Sequence, residues 1–240
     1  MNQPLVLAST SPFRHALLTR LGLPFTTDSP QVNETRRPDE PPQVMVLRLA
    51  EAKANAAAVR HPDAIIIGAD QVACIDDLVL GKPGNREQAI AQLERASGRT
   101  LVFQTGLCLL NAITGRTQTL VEPFHVHFRP LTRRRIEIYL DREQPYDCAG
   151  SFKSEGLGIA LFARLEGDDP SALIGLPLIR LVTLLESEGL DPLGRQDRVG
   201  VTGLRPSPLP HHRTCGFPHP AVEPSGLSPR ASTVESVRSD

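Results

Sequence analysis

The sequence predicts an α/β protein, and three observations carry that assignment. A short apolar run, Leu5-Val6-Leu7-Ala8, of the kind a buried parallel strand shows, passes through a polar turn into a helical apolar pattern at Phe13, Leu17, Leu18 and Leu21. A second apolar run, Ala64-Ile65-Ile66-Ile67-Gly68-Ala69, follows a helix-period stretch from Gln43 to Arg60. Strand and helix patterns then alternate as far as Gly189.

In the first unit, Ser11 is a good N-cap and Pro12 a good first helical residue, since proline's missing N–H would be unpaired there anyway. Strand, tight turn and helix N-terminus aim backbone N–H groups and the positive end of the helix dipole at one spot. Ser9, Ser11 and Arg14 add donors around it, so the turn is built for an anion, above all a phosphate. A turn that merely joins strand to helix is the plain alternative.

Gly22 and Pro24 stop the first helix, and Thr26 to Pro42 reads as a polar, proline-rich loop holding Glu34. A solvated loop acid is the simple account of Glu34. The next helix carries Val44, Leu47, Ala50, Ala54 and Ala58 at helical spacing, with Lys53 among small alanines that let a neighbour approach. Asp70 and Gln71 stand at the carboxyl end of the second strand, where ligands of open α/β sheets collect; a turn-capping aspartate is the alternative. Val72–Ile75, Asp76-Asp77 and Leu78–Leu80 read as a hairpin, and Gly81-Lys82-Pro83 brings Lys82 back towards Asp70.

Asn85 with Gln88 opens a helix that Gly98 ends. Strands are expected at Leu101–Phe103 and Leu107–Leu110, a turn around Asn111–Gly115, and an alternating strand Leu120–Phe128 with His125 and His127 on the wet face. That H-x-H pair lacks a third ligand at matching spacing, which favours a solvated strand over a metal site. Thr132 starts a helix whose Arg133-Arg134-Arg135 turn reads as a solvated face rather than a nucleic-acid patch. The polar, glycine-bearing connection Asp147–Gly158 leads to Ile159–Phe162, Leu165–Asp169 turns, and Pro177 begins a last helix, Leu178–Leu185.

From about Gly194 the character changes: seven of the 22 prolines fall between Pro206 and Pro229, among serines and arginines. Residues 1–193 are expected to form the domain and 194–240 a disordered tail, in which His211-His212 is weak evidence of metal binding. A net charge of −1 argues against a nucleic-acid or membrane surface, and no apolar run approaches the ~20 residues of a bilayer span. Cys74, Cys108, Cys148 and Cys215 are scattered, which fits thiols in a reducing cytoplasm better than a disulfide frame or zinc site. One patch thus gathers Ser9, Ser11, Arg14, Lys53, Lys82 and Asp70, joined in this reading by Glu34. Cations with acids point to a divalent ion bridging carboxylates and phosphates, hence to a metal-assisted phosphoanhydride hydrolase acting on a nucleotide.

Leu-Ala-Ser-Thr-Ser-Pro-Phe-Arg, Ile-Gly-Ala-Asp-Gln-Val, Gly-Lys-Pro and Gly-Ser-Phe-Lys-Ser-Glu-Gly, in this order from about Leu5 to Leu193, resemble the Maf family of nucleoside triphosphate pyrophosphatases. The last motif is similar to the branch hydrolysing 7-methyl-GTP. The resemblance implies a mixed twisted sheet with flanking helices in two lobes around a deep cleft, of the Maf and ITPase-like kind, often dimeric. It implies cleavage between the α and β phosphates with Mg²⁺, Mn²⁺ or Co²⁺, releasing 7-methyl-GMP and diphosphate and clearing modified nucleotides. By resemblance, Asp70 is the catalytic acid that activates water or holds the metal, with Glu34 near the metal. Ser9, Arg14, Lys53 and Lys82 match the phosphate cleft, and Phe13, Gln71 and Glu155 match substrate-choice positions. His15 and Ala69 depart from the family pattern, where a second basic residue and a Ser are common, which puts the strength of the triphosphate grip in question. Two other functions remain open here: turnover of other nucleotides, and a non-catalytic nucleotide-binding regulator of cell division. An acid facing phosphates argues against the pure binder, because it costs affinity unless a cation intervenes.

Overall fold

A computed structural model describes residues 3–76 and 78–194. The elements in order are β1 (Leu5–Ala8), α1 (Pro12–Thr19), β2 (Thr26–Asp28), α2 (Pro42–Ala58), β3 (Ile65–Ile75), β4 (Leu78–Leu80), α3 (Arg86–Ala96), β5 (Thr100–Asn111), β6 (Thr117–Phe128), α4 (Arg133–Glu143), β7 (Phe162–Glu166) and α5 (Leu178–Ser187), with 3-10 turns at Ala149–Ser151, Leu157–Leu161 and Pro170–Ile174. They form one mixed sheet in the order β2-β1-β3-β5-β6-β7, with β4 paired to β3. β1 runs parallel to β2 and β3, while β3, β5, β6 and β7 are antiparallel. The mixed α/β class is as expected.

Two hydrophobic regions separate along the long central strands. Near β1, Leu5, Leu7, Ile65, Ile67, Leu107 and Leu109 pack on Leu17 and Leu18 of α1 and on Leu181 and Leu185 of α5. The opposite face, Val6, Ala8, Ile66 and Cys108, meets Ala50, Ala54 and Ala57 of α2. At the far end, Ile75, Leu101, Phe103, Phe124 and Phe128 pack with α3, α4 and Phe152. Phe152 meets Phe103, Phe128 and Phe162 edge-on at ring separations of 5.4, 5.6 and 4.8 Å.

Several caps stand where the sequence puts them. Ser11 accepts from the Arg14 N–H, Asn85 from Gln88 and Thr132 from Arg135, and Gly98 takes a left-handed conformation after α3. The β3–β4 hairpin pairs Ile75 with Leu78, and Asp76 adopts φ 50° in a role glycine often takes. Arg133 pairs with Glu94 and Glu137, which spends part of the basic turn on local acids.

Four expectations need correction. The loop from Thr26 contains β2, which is too short and polar to show a strand pattern and is recruited by the open edge of β1. The strands at Leu101–Phe103 and Leu107–Leu110 are one strand, β5, because Gln104, Thr105 and Gly106 stay in the ladder with β3 and β6. Leu165 and Glu166 belong to β7, paired with Val126 and His125, before the turn begins. The buried face of α2 is Val46, Leu49, Ala50, Lys53, Ala54 and Ala57, whereas Val44 is 51% exposed. The stripe is rotated because Lys53 sits on it, held by acids. The tail from residue 195 and His211-His212 lie outside the described residues.

Candidate active site

One cleft of about 570 Å³ opens between the two hydrophobic regions, a volume suited to a small-molecule ligand. Its walls include Ala8–Arg14, Glu34, Lys53, Asp70, Gln71, Lys82 and the segment Asp147–Ala149 with Phe152, Ser154 and Glu155. All nine residues singled out from the sequence (Ser9, Phe13, Arg14, Glu34, Lys53, Asp70, Gln71, Lys82 and Glu155) therefore line it.

Local structure explains how they meet. β1 stops at Ala8 while β3 continues past it, so Asp70 lies just beyond the last parallel pair, Ala8 with Gly68. Asp70 is thus mid-strand rather than at the end of β3, yet it is at the end of the parallel part. Opposite it, α2 lies unusually close to the sheet. A Cβ on Gly68 would fall 2.1 Å from the Ala50 carbonyl oxygen, and one on Gly106 would fall 2.3 Å from that of Val46. Only glycine allows this approach, which brings Lys53 of α2 within 2.6 Å of Asp70 Oδ1.

The Lys53 ammonium also meets Glu34 Oε1 at 2.7 Å. Glu34 is presented by a segment tied to α2 through Glu40. The Glu40 carboxylate takes the Arg48 guanidinium at 2.6 and 2.7 Å and the Arg37 N–H at 3.0 Å, which holds its carboxyl down at about 2. Arg14 donates through Nε to the Gly175 carbonyl at 2.8 Å and approaches Ser9 Oγ at 3.5 Å. Burial lowers the Arg14 pKa from its ordinary value, against the opposing pull of Asp70 and Glu34.

Asp70 Oδ1 is engaged by Lys53, and Oδ2 has no partner among the described residues and is not sealed from solvent. Lys82 is exposed on the cleft wall. Phe13 is half-buried on the first turn of α1, and Glu155 is exposed on the cleft wall, accepting from Ser154 Oγ at 3.3 Å. Of the departures from the family pattern, His15 turns to Phe25 at a ring separation of 5.1 Å, and Ala69 is buried in the core.

Two carboxylates converging on one ammonium are hard oxygen donors of the kind Mg²⁺ or Mn²⁺ uses. Among the described residues no group of three or more His, Cys, Asp or Glu is placed to hold a metal ion. Two carboxylates would leave the rest of such a cation's shell to substrate phosphates and water.

The hydrogen bond from Lys53 lowers the Glu34 pKa below the usual carboxylate range. The pair therefore contributes above that range and is lost as pH falls through the lowered value. Lys53→Met is expected to return the Glu34 titration towards its ordinary value, read by NMR of the side-chain carboxyl. An unchanged midpoint would show that the contact does not persist in solution.

The sequence did not announce Gly175, Thr105 or the carbonyls of Ala172 and Leu173, which hold Arg14 and Gln71. Lys153, within the Gly-Ser-Phe-Lys motif, donates to the Glu143 carbonyl at 3.3 Å.

The pattern of the Maf-like protein family matches residues 4–188. A Nitrosococcus oceani protein named 7-methyl-GTP pyrophosphatase is 57% identical over 185 residues, 77% of this chain and 93% of that one. Proteins of the same name from Alcanivorax borkumensis and Vibrio vulnificus are 58% and 55% identical, covering 78% and 80% of this chain and 94% and 99% of their own. With the family pattern spanning well over half its length, the chain belongs to the Maf-like protein family.

Proposed function

We propose that this protein hydrolyses the α–β phosphoanhydride of a nucleoside triphosphate, with 7-methyl-GTP as substrate, giving 7-methyl-GMP and diphosphate. The observation that carries the reading is the convergence of Arg14, Lys53 and Lys82 with Asp70 in one cleft. The name shared by relatives above 50% identity supports the substrate.

A triphosphate brings several negative charges, which Arg14, Lys53, Lys82 and the N-terminal end of α1 oppose. Ser9 adds a hydroxyl beside Arg14. Asp70, with Oδ1 fixed by Lys53, keeps Oδ2 to accept a proton from the attacking water as the water oxygen bonds to phosphorus. The bridging oxygen leaves with diphosphate, whose growing charge the same cations oppose. Asp70 and Glu34 would hold a divalent cation with the phosphates, and such a cation supplies charge neutralisation and Lewis acidity.

The 7-methylguanine base carries a positive ring charge. The face of Phe13 gains from it by about 0.5–2 kcal/mol, and the Glu155 carboxylate accepts guanine N–H groups while balancing that charge. A pyrimidine meets neither need. A panel comparing 7-methyl-GTP with GTP, UTP and other triphosphates tests the assignment. Phe13→Ala and Glu155→Gln are expected to reduce the methylated-base preference about 3- to 10-fold each. A preference unchanged in both variants would overturn this account of base choice.

No helix among the described residues is long and apolar enough to cross a membrane. Burial pushes the Cys108 and Cys148 thiols up to about 12, which suits unreactive thiols in a reducing cytoplasm, where we place the protein.

A further inference from the structure

Gln71 and Thr105 lie opposite each other in the β3–β5 ladder. Thr105 is fully buried, and its hydroxyl has one proton to give. The Ala172 carbonyl oxygen takes that proton at 3.0 Å. What Thr105 offers to Gln71 is therefore a lone pair, 3.0 Å from Nε2. The carbonyls of Ala172 at 2.7 Å and Leu173 at 3.3 Å surround the same atom with further acceptors. An amide oxygen turned into this nest would face lone pairs on every side, so the NH₂ end must occupy it. Its two hydrogens are then shared among three acceptors, and Nε2 has nothing left for a ligand.

The other end of the amide is free. Gln71 Oε1 has no partner among the described residues, it is not a sealed unsatisfied atom, and the side chain lines the cleft. We infer that Thr105 is a positioning residue for substrate choice: by locking the Gln71 amide it makes Gln71 an obligate hydrogen-bond acceptor in the cleft, so the substrate must present a donor there. The donor is an N–H of the base edge or a hydroxyl of the ribose. This rests on the nucleotide reading above and adds the polarity of one recognition group to it.

The test uses binding of the product, 7-methyl-GMP, by calorimetry, so it does not depend on turnover. Four probes each lack one donor: the N1-methylated form, the inosine form without the 2-amino group, and the 2′-deoxy and 3′-deoxy forms. Because the two base probes also forgo the Glu155 contact proposed above, the Gln71 contribution is the part of a probe's penalty that Gln71→Met removes, expected at about 3- to 10-fold for one of the four, a base probe or a sugar probe marking the source of the donor. That part should shrink in Thr105→Val, whereas Thr105→Ser, which keeps the hydroxyl, should retain it within about twofold. A merely structural role for Thr105 would weaken all probes alike.

Probe penalties in Gln71→Met that equal those of the wild type for all four probes would overturn the inference. So would a folded Thr105→Val protein with the full penalty. If Thr105→Val does not fold, the probe series on the wild type and Gln71→Met decides. Absence of any 7-methyl-GMP binding would instead remove the nucleotide reading on which the inference stands, and the inference with it.

Discussion

Asp70→Asn is expected to lower turnover about 10²- to 10⁴-fold while nucleotide binding is retained. The substitution keeps the shape of the side chain, and the amide oxygen can still accept from the Lys53 ammonium that lies 2.6 Å from Oδ1. The β3 ladder that carries residue 70, from Ile65 opposite Asn111 to Cys74 opposite Val102, needs no carboxylate. What is lost is the proton-accepting Oδ2 and one negative charge. Diphosphate release measured beside binding affinity separates the possibilities. A protein that only binds nucleotides would gain affinity on losing an acid that faces phosphates and would show no diphosphate in either form. Undiminished turnover in the Asn variant would remove Asp70 from the chemistry.

The largest expected effect on stability lies at Gly68 and Gly106. A Cβ at either site would meet backbone atoms of α2, the Ala50 oxygen at 2.1 Å and the Val46 oxygen at 2.3 Å, which cannot rotate aside as a side chain could. Gly68→Ala and Gly106→Ala must therefore push α2 off the sheet, at a cost of about 1–3 kcal/mol each or more. For a domain of this size about 2–4 °C of melting temperature is lost per kcal/mol. Because α2 carries Lys53, both substitutions should also loosen the Lys53–Asp70 contact and lower activity beyond the loss of folded protein. Gly81→Ala, where no atom lies within 4 Å of the added carbon, is the control and should melt within about 1–2 °C of wild type. Equal melting temperatures for all three would show that α2 does not pack as closely as described.

Much of this was legible in the chain because the signals were local. Ser11 with Pro12, Asn85 with Gln88, and Thr132 mark helix starts by chemistry that acts within four residues. The apolar runs around Val6 and Ile66 announce buried strands, and the turn between Ala8 and Pro12 announces donors. Asp70 and Lys82 are read to one strand end and Arg14 to the anion-binding turn, and Lys53 joins that patch from among the small alanines of the second helix. What stayed hidden depends on contacts far apart in sequence. Arg14 reaches Gly175 across 161 positions and Gln71 reaches Ala172 across 101, through a 3-10 turn with no periodic pattern. β2 exists because β1 offers an edge, and no feature of Thr26-Thr27-Asp28 demands it. The buried face of α2 is hidden in the sequence because a lysine on a buried stripe breaks the apolar pattern unless its two carboxylate partners are known. Gln104-Thr105-Gly106 reads as a gap between strands for a similar reason, since its polar groups and its missing side chain serve the neighbours rather than the strand.

The central claim is that this cleft directs water at the bond between the α and β phosphates. The direct measurement is product identity from 7-methyl-GTP incubated with the wild-type protein and Mg²⁺ or Mn²⁺, read by chromatography and a diphosphate assay. The account predicts 7-methyl-GMP and diphosphate in equal amounts. Release of orthophosphate with 7-methyl-GDP, or recovery of intact nucleotide, would contradict it.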